Sequence, residues 1–106
     1  MSQVVVVVLI KPQEGKVDEV ISAFSPIIEK THEEEGCLNY ALHRNIHDPG
    51  NLVLIERWRS QEDLDQHFTK PYMADMAKVA GELLDEQPNI SFCTPELVGT
   101  PEKGIL

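Results

Sequence analysis

Seven consecutive apolar residues, Val4 to Ile10, constrain this chain more than any other feature. They show no polar alternation, so a strand over Gln3–Ile10 needs cover on both of its faces. The run is far shorter than the ~20 residues that span a bilayer. It also lacks the charged leader and small-residue cleavage site of a signal peptide, which points to a cytoplasmic protein. Lys11-Pro12-Gln13-Glu14-Gly15 makes the turn out of the strand. Val17, Val20, Ile21, Phe24, Ile27 and Ile28 then step at helical spacing and predict an amphipathic helix. Pro26 lies within that stripe and predicts a kink, because its ring blocks a backbone bond one turn back. Glu33, Glu34 and Glu35 crowd the helix C-terminus, where the dipole disfavours negative charge, and Gly36 ends it.

A hairpin follows. Cys37 to Ile46 predicts a second strand with Leu38, Tyr40 and Leu42 on one face and Asn39, Ala41 and His43 on the other. His47-Asp48-Pro49-Gly50 is its turn. Asn51 to Arg59 predicts a third strand, apolar on both faces through Leu52-Val53-Leu54-Ile55 and ending in Glu56-Arg57-Trp58-Arg59. Ser60 reads as the N-cap of a short helix with an acid, Asp63, three residues on. Leu64, His67 and Phe68 form its inward stripe. Thr69-Lys70-Pro71 interrupts the pattern, which resumes through Met73, Met76, Ala77, Ala80, Leu83 and Leu84. Ile90 to Val98 reads as a last strand, held to an edge by Pro95. Residues 99–106 form a tail that could reach a partner.

The order β-α-β-β-α-β predicts an α+β, ferredoxin-like sandwich over residues 1–98. Helices cover one sheet face there, so the apolar second face needs another cover, and the simplest is a second copy: a homodimer. Lys+Arg number 9 against 18 Asp+Glu, a net charge of −9. Such a surface repels phosphate backbones and anionic lipid, arguing against nucleic acid and membranes as partners. Cys37 and Cys93 form neither a CxxC motif nor a disulfide framework and read as two free, buried thiols.

Known chemical motifs are few. His43 and His47 would stand ~13 Å apart along a strand, and His32-Glu33 lacks the second histidine of HExxH, so no metal site is expected. No phosphate-cradling glycine loop or nucleophile elbow is present, and flavin and haem have no handle. What remains converges at one strand-to-helix junction. His67 is either a proton acceptor or a half-buried histidine bonded to backbone. Trp58 is either a core tryptophan or a wall stacking on an aromatic ligand. Glu56, odd at the end of an apolar strand, is an interface carboxylate or a ligand-binding one. Tyr72 could cover a pocket mouth or pack on the surface. Asn39 and Tyr40 leave one polar group on each face of the second strand, either of which could face the pocket. Arg44, Arg57 and Arg59 are expected to pair with surface acids.

The pieces EEGCLNYAL, LIERWRSQEDLDQHF and KPYMADMAK, in this order after VVVVVLIKPQEGK, resemble the antibiotic biosynthesis monooxygenase family and, within it, small bacterial quinol monooxygenases. The resemblance runs from about Val4 to Val98. It implies a dimeric α+β barrel that oxygenates a quinol or related aromatic substrate with O2 and needs no flavin, haem or metal. Haem-degrading members use an asparagine, a tryptophan and a histidine at places that hold Val8, His67 and Ala77 here, so that chemistry is not implied. In the implied oxygenase, His67 takes a phenolic proton, Trp58 and Tyr72 wall the ring with Glu56 nearby, and Asn39 or Tyr40 holds a carbonyl oxygen. A sister branch isomerises a phosphorylated autoinducer sugar and is the alternative activity. A non-catalytic small-ligand-binding barrel is the third reading.

Overall fold

The computed structural model describes residues 3–106, which form β1 (Val4–Ile10), α1 (Val17–His32), β2 (Cys37–Arg44), β3 (Leu52–Trp58), α2 (Gln61–His67), α3 (Tyr72–Leu83), β4 (Asn89–Cys93) and α4 (Pro101–Gly104). The strands make one antiparallel sheet in the order β2-β3-β1-β4. This is the ferredoxin-like α+β arrangement expected from the element order.

Register decides which side chains meet. Val4, Val6, Val8 and Ile10 of β1 pair with Trp58, Glu56, Leu54 and Leu52 of β3. Directly opposed residues share a face, so these eight point the same way, and all are buried. Val20 and Phe24 of α1 close the core over them, with Leu64 of α2 and Leu84 just beyond α3. Burying so much aliphatic surface, at about 25 cal/mol per Å² of apolar area, is what holds the helices to this face.

The alternate residues face away from the helices. Val5, Val7 and Leu9 pair with Arg57, Ile55 and Val53 on one side and with Cys93, Ser91 and Asn89 on the other. Leu9 is 52 % exposed, while Val7, Val53 and Ile55 are half-buried. The apolar second face is therefore present, on the side of the sheet away from the core that α1, α2 and α3 pack against. The tail returns toward it: α4 lies within residues 99–106, and Arg57 hydrogen-bonds the Leu106 backbone oxygen rather than a surface acid. Arg44 and Arg59 do pair with acids, Asp18 at 2.9 Å and Asp63 at 2.8 Å.

Several expectations shift. β2 carries a bulge between Cys37 and Asn39, so Cys37 opposes Trp58 and Tyr40 opposes Glu56. The extra residue breaks strict alternation: Cys37 joins Tyr40 on the core face, and Leu38, expected there, is 38 % exposed. Cys93 is exposed rather than buried because β4 is an edge strand with every residue accessible. β4 also stops at Cys93, short of the expected end at Val98. Pro26 stands inside α1, which remains one element from Val17 to His32. On α3, Met76, Val79, Ala80 and Leu83 face the core, whereas Ala77 is exposed. No helix among the described residues is long and apolar enough to cross a membrane.

Candidate active site

Three local features bring the site together. Ser60 caps α2 as its sequence predicts: its hydroxyl accepts from the Asp63 backbone N–H at 3.2 Å and donates to the Asp63 carboxylate at 2.9 Å. Arg59 grips the same carboxylate with two hydrogen bonds. Gly36, at the end of α1, lets Asp63 lie against the backbone, since a Cβ there would meet the Asp63 side chain at 2.3 Å. The start of α2 is thus pinned to the end of α1, and one turn later α2 delivers His67 into the core.

His67 is only 1 % exposed. Its ring stacks at a tilt on Trp58, with centroids 4.6 Å apart, and meets Tyr40 edge-on at 5.6 Å. Its Nδ1 donates to the Glu34 carboxylate at 2.8 Å. The Tyr72 hydroxyl donates to the same Glu34 oxygen. An imidazole held through Nδ1 keeps Nε2 as its basic nitrogen. The backbone-bonded alternative therefore does not describe His67, whose partner is a side-chain carboxylate.

Glu56 lies on the other side of Trp58. It is 6 % exposed, and its Oε1 accepts from the Trp58 indole N–H at 2.9 Å. Burial pushes its carboxyl up to about 7; the Trp58 hydrogen bond opposes that rise and the negative charge of Glu34 adds to it. Tyr40, its cross-strand neighbour, has its phenol pushed well above the usual range by burial and by the Glu56 charge. The Tyr72 phenol is also raised, by desolvation and by its hydrogen bond to Glu34. Cys37 is held up at about 11 by desolvation and by Glu34 and Glu56, so the thiol is not an activated nucleophile.

Of these groups, His67, Glu56 and Tyr40 border a cleft between the sheet and α1, α2 and α3. Val6, Val8, Ile10, Leu54 and Phe24 form its floor and back, and Phe68, Met73, Met76 and Ile90 its outer wall. Its polar lining is Tyr40, Glu56 and His67, with no lysine or arginine. The volume is about 90 Å³, below the roughly 300–1,000 Å³ of occupied ligand pockets. Phe68, expected on the inward stripe, is half exposed at the mouth and meets Phe92 of β4 edge-on.

The structure thus brings His67, Glu56, Tyr40, Trp58 and Tyr72 together, but only the first three line the cleft. Trp58 and Tyr72 do not wall the cleft: Trp58 is fully buried behind His67, and Tyr72 reaches Glu34. Asn39 is outside the site. It pairs with Arg57 on the opposite sheet face and is exposed, because neighbouring residues of a strand alternate and Tyr40, opposite Glu56, takes the cleft side. Glu34 is the residue that sequence reading missed. Its trace was visible, since an acid at a helix C-terminus works against the dipole and such a local penalty needs an offset. Among the described residues, no group of three or more His, Cys, Asp and Glu is placed to hold a metal ion.

Comparison with known proteins is consistent across the chain. The family model for antibiotic biosynthesis monooxygenase matches residues 3–79. A Mycobacterium tuberculosis protein named "Putative monooxygenase Rv0793" is 31 % identical over 94 residues, covering 89 % of this chain and 92 % of that one. The crystal structure of Rv0793 superposes with a TM-score of 0.82, covering 93 % of this chain and all of that one. A structure from Caulobacter crescentus, described as a putative antibiotic biosynthesis monooxygenase, is 26 % identical with a TM-score of 0.81, covering 87 % and 88 % of the two chains.

Proposed function

The chain belongs to the antibiotic biosynthesis monooxygenase family, and on that premise we propose that it oxidises a quinol or related phenolic ring with molecular oxygen, drawing the electrons from the substrate itself. The observation that carries this reading is the composition of the cleft: apolar walls, one imidazole held by a buried carboxylate, and two further oxygen-bearing groups. An electron-rich phenol reduces O2 readily only once deprotonated, so the protein's task is to take the proton and exclude water. His67 takes it on Nε2 while Glu34 holds the ring and stabilises the imidazolium that forms. In the overall change a phenolic ring and O2 give a quinone and water. One oxygen atom replaces a ring hydrogen, becoming the second carbonyl of a monophenol's quinone or a hydroxyl on a quinol's quinone; the other leaves as water, and the ring supplies the electrons.

Entry of a ring requires the outer wall to move. Met73 and Met76 are flexible and polarizable, and Phe68 is already half out of the cleft. The homodimer expected from the sequence belongs to the same reading: the half-exposed face of Val7, Leu9, Val53 and Ile55 is the surface it would bury.

The sugar-phosphate isomerase is disfavoured on one observation. A phosphate needs arginine, lysine or a helix N-terminus, and the cleft lining offers the Glu56 carboxyl instead, with Glu34 behind His67. Oxygen uptake by dialysed, chelator-treated protein, measured over a panel of hydroquinones with sugar phosphates followed in parallel by NMR, tests the choice. We expect oxygen consumption with at least one hydroquinone and no change in the sugars. Isomer formation without oxygen uptake would establish the alternative, and ring binding without turnover would leave a binding protein.

A further inference from the structure

The proposed oxidation uses His67 and leaves a second buried acid in the same cleft without work. Glu56 has two oxygens. Oε1 takes the Trp58 indole N–H, and among the described residues Oε2 makes no hydrogen bond. The side chain is more than nine-tenths buried, and it borders the cleft. Oε2 is not among the side-chain oxygens sealed off without a partner, so it is the Glu56 atom left open to a ligand in this apolar cleft.

We propose that Glu56 is a second substrate-contacting residue, which enters as the neutral acid and donates its Oε2 proton to an oxygen of the bound ring, so that the site accepts uncharged rings bearing a carbonyl or phenolic oxygen and rejects carboxylates and phosphates. This rests on the oxidase reading and narrows it to a substrate class. The neutral form is the one that burial favours, and it holds below about pH 7. Among the charged and titratable groups around Glu56, the Glu34 charge favours the neutral form, and the Trp58 hydrogen bond opposes it. Tyr40 and Cys37 approach from β2, Glu34 stands at the end of α1, and His67 comes from α2; β1 offers only Val6, and α3 offers methionines and alanine. With Glu34 already holding a negative charge, an anionic ligand would add another to a cleft with no cation to meet it. Trp58 is the link that fixes geometry, since it stacks on His67 while its N–H fixes one Glu56 oxygen.

The test needs no turnover, so it separates this proposal from the oxidase reading. Trp58 is the chain's single tryptophan, and its indole N–H therefore gives one resolved NMR signal, bonded directly to Glu56. Acetophenone, an uncharged ring with one carbonyl acceptor, and benzoate, its charged counterpart, are the probes. We expect acetophenone to move the indole signal and benzoate to leave it unchanged. Acetophenone affinity should fall about tenfold between about pH 6 and about pH 8.5, the size expected for one lost hydrogen bond. In Glu56→Gln, whose amide still donates but does not ionise, the affinity should no longer depend on pH; in His67→Gln the dependence should remain. A wild-type affinity that does not change with pH, equal binding of benzoate, or loss of the dependence in His67→Gln alone overturns the proposal. If Glu56→Gln fails to fold, the wild-type titration with the two probes still decides. An enzyme that shows this binding pattern but consumes no oxygen defeats the oxidase reading alone.

Discussion

Just past α1 and near the end of β3 stand two glutamates beside the same aromatic cluster, Glu34 half-buried and Glu56 buried, and the two differ in how they are held. Glu34 receives two donors on one oxygen, the His67 imidazole and the Tyr72 hydroxyl. Glu56 receives one, the Trp58 indole, in a pocket of aliphatic side chains that pushes its carboxyl up to about 7. The lesson is that residue type does not set the role of a buried acid; the count of donors and the dryness around it do. Donors that converge on Glu34 suit it to orient a base and bear the charge that forms on it. Glu56, with few donors, suits a proton held in reserve.

The largest expected effect lies on the Glu34 side. His67→Gln removes the proton acceptor, and kcat/KM should fall by about 10²–10⁴, the usual worth of a general base, with the oligomeric state and Tm little changed. A variant with wild-type turnover would remove the chemistry from this end of the site. Next comes Glu34→Ala. It strands two donors, His67 and Tyr72, where Glu56→Ala strands only Trp58. At about 1–3 kcal/mol for each buried group left unpaired, Glu34→Ala should lose more stability in urea titration than Glu56→Ala. Equal losses would erase the contrast between the two acids.

The pH dependence of stability sharpens it from the other side. Glu56 ionises near 4.5 in the unfolded chain and near 7 in the fold. Its protonated form thus contributes stability in full below about 4.5, and that contribution is lost as pH rises through about 7. The loss should be on the order of 2–3 kcal/mol, read as a fall in Tm that Glu56→Gln flattens. A Tm that is level across this window would place Glu56 in water rather than in a dry cleft. The smallest effect is that of Tyr72→Phe, which leaves Glu34 its imidazole. It should cost about 1 kcal/mol and less than tenfold in rate.

Much of this was legible in the chain. The helical stripe of Val20, Phe24 and Ile27, the capping Ser60 and the inward His67 follow from local periodicity and local hydrogen bonds. What escaped depends on distant partners. Glu34 reads as a solvated acid because the groups that claim it lie 33 and 38 residues further on. Asn39 seemed as able as Tyr40 to face a pocket, since strict alternation leaves both faces open. The bulge at Cys37/Asn39 turns on pairing with β3 and has no glycine or proline to mark it. For Trp58 the sequence leaves core residue and pocket wall both open, because adjacency to Glu56 does not say which of the two reaches the cavity; the fold makes it the core tryptophan with its N–H satisfied.

If His67 is the base, Glu34 holds one ring nitrogen and a bound phenol meets the other. ¹⁵N NMR of the imidazole, in protein labelled at its four histidines and with His67 assigned by His67→Gln, reads this directly. We expect a proton on Nδ1, toward Glu34, and an Nε2 signal that moves when a phenol is added. A proton held on Nε2 instead, or an Nε2 signal that ignores the phenol, would remove His67 from the chemistry.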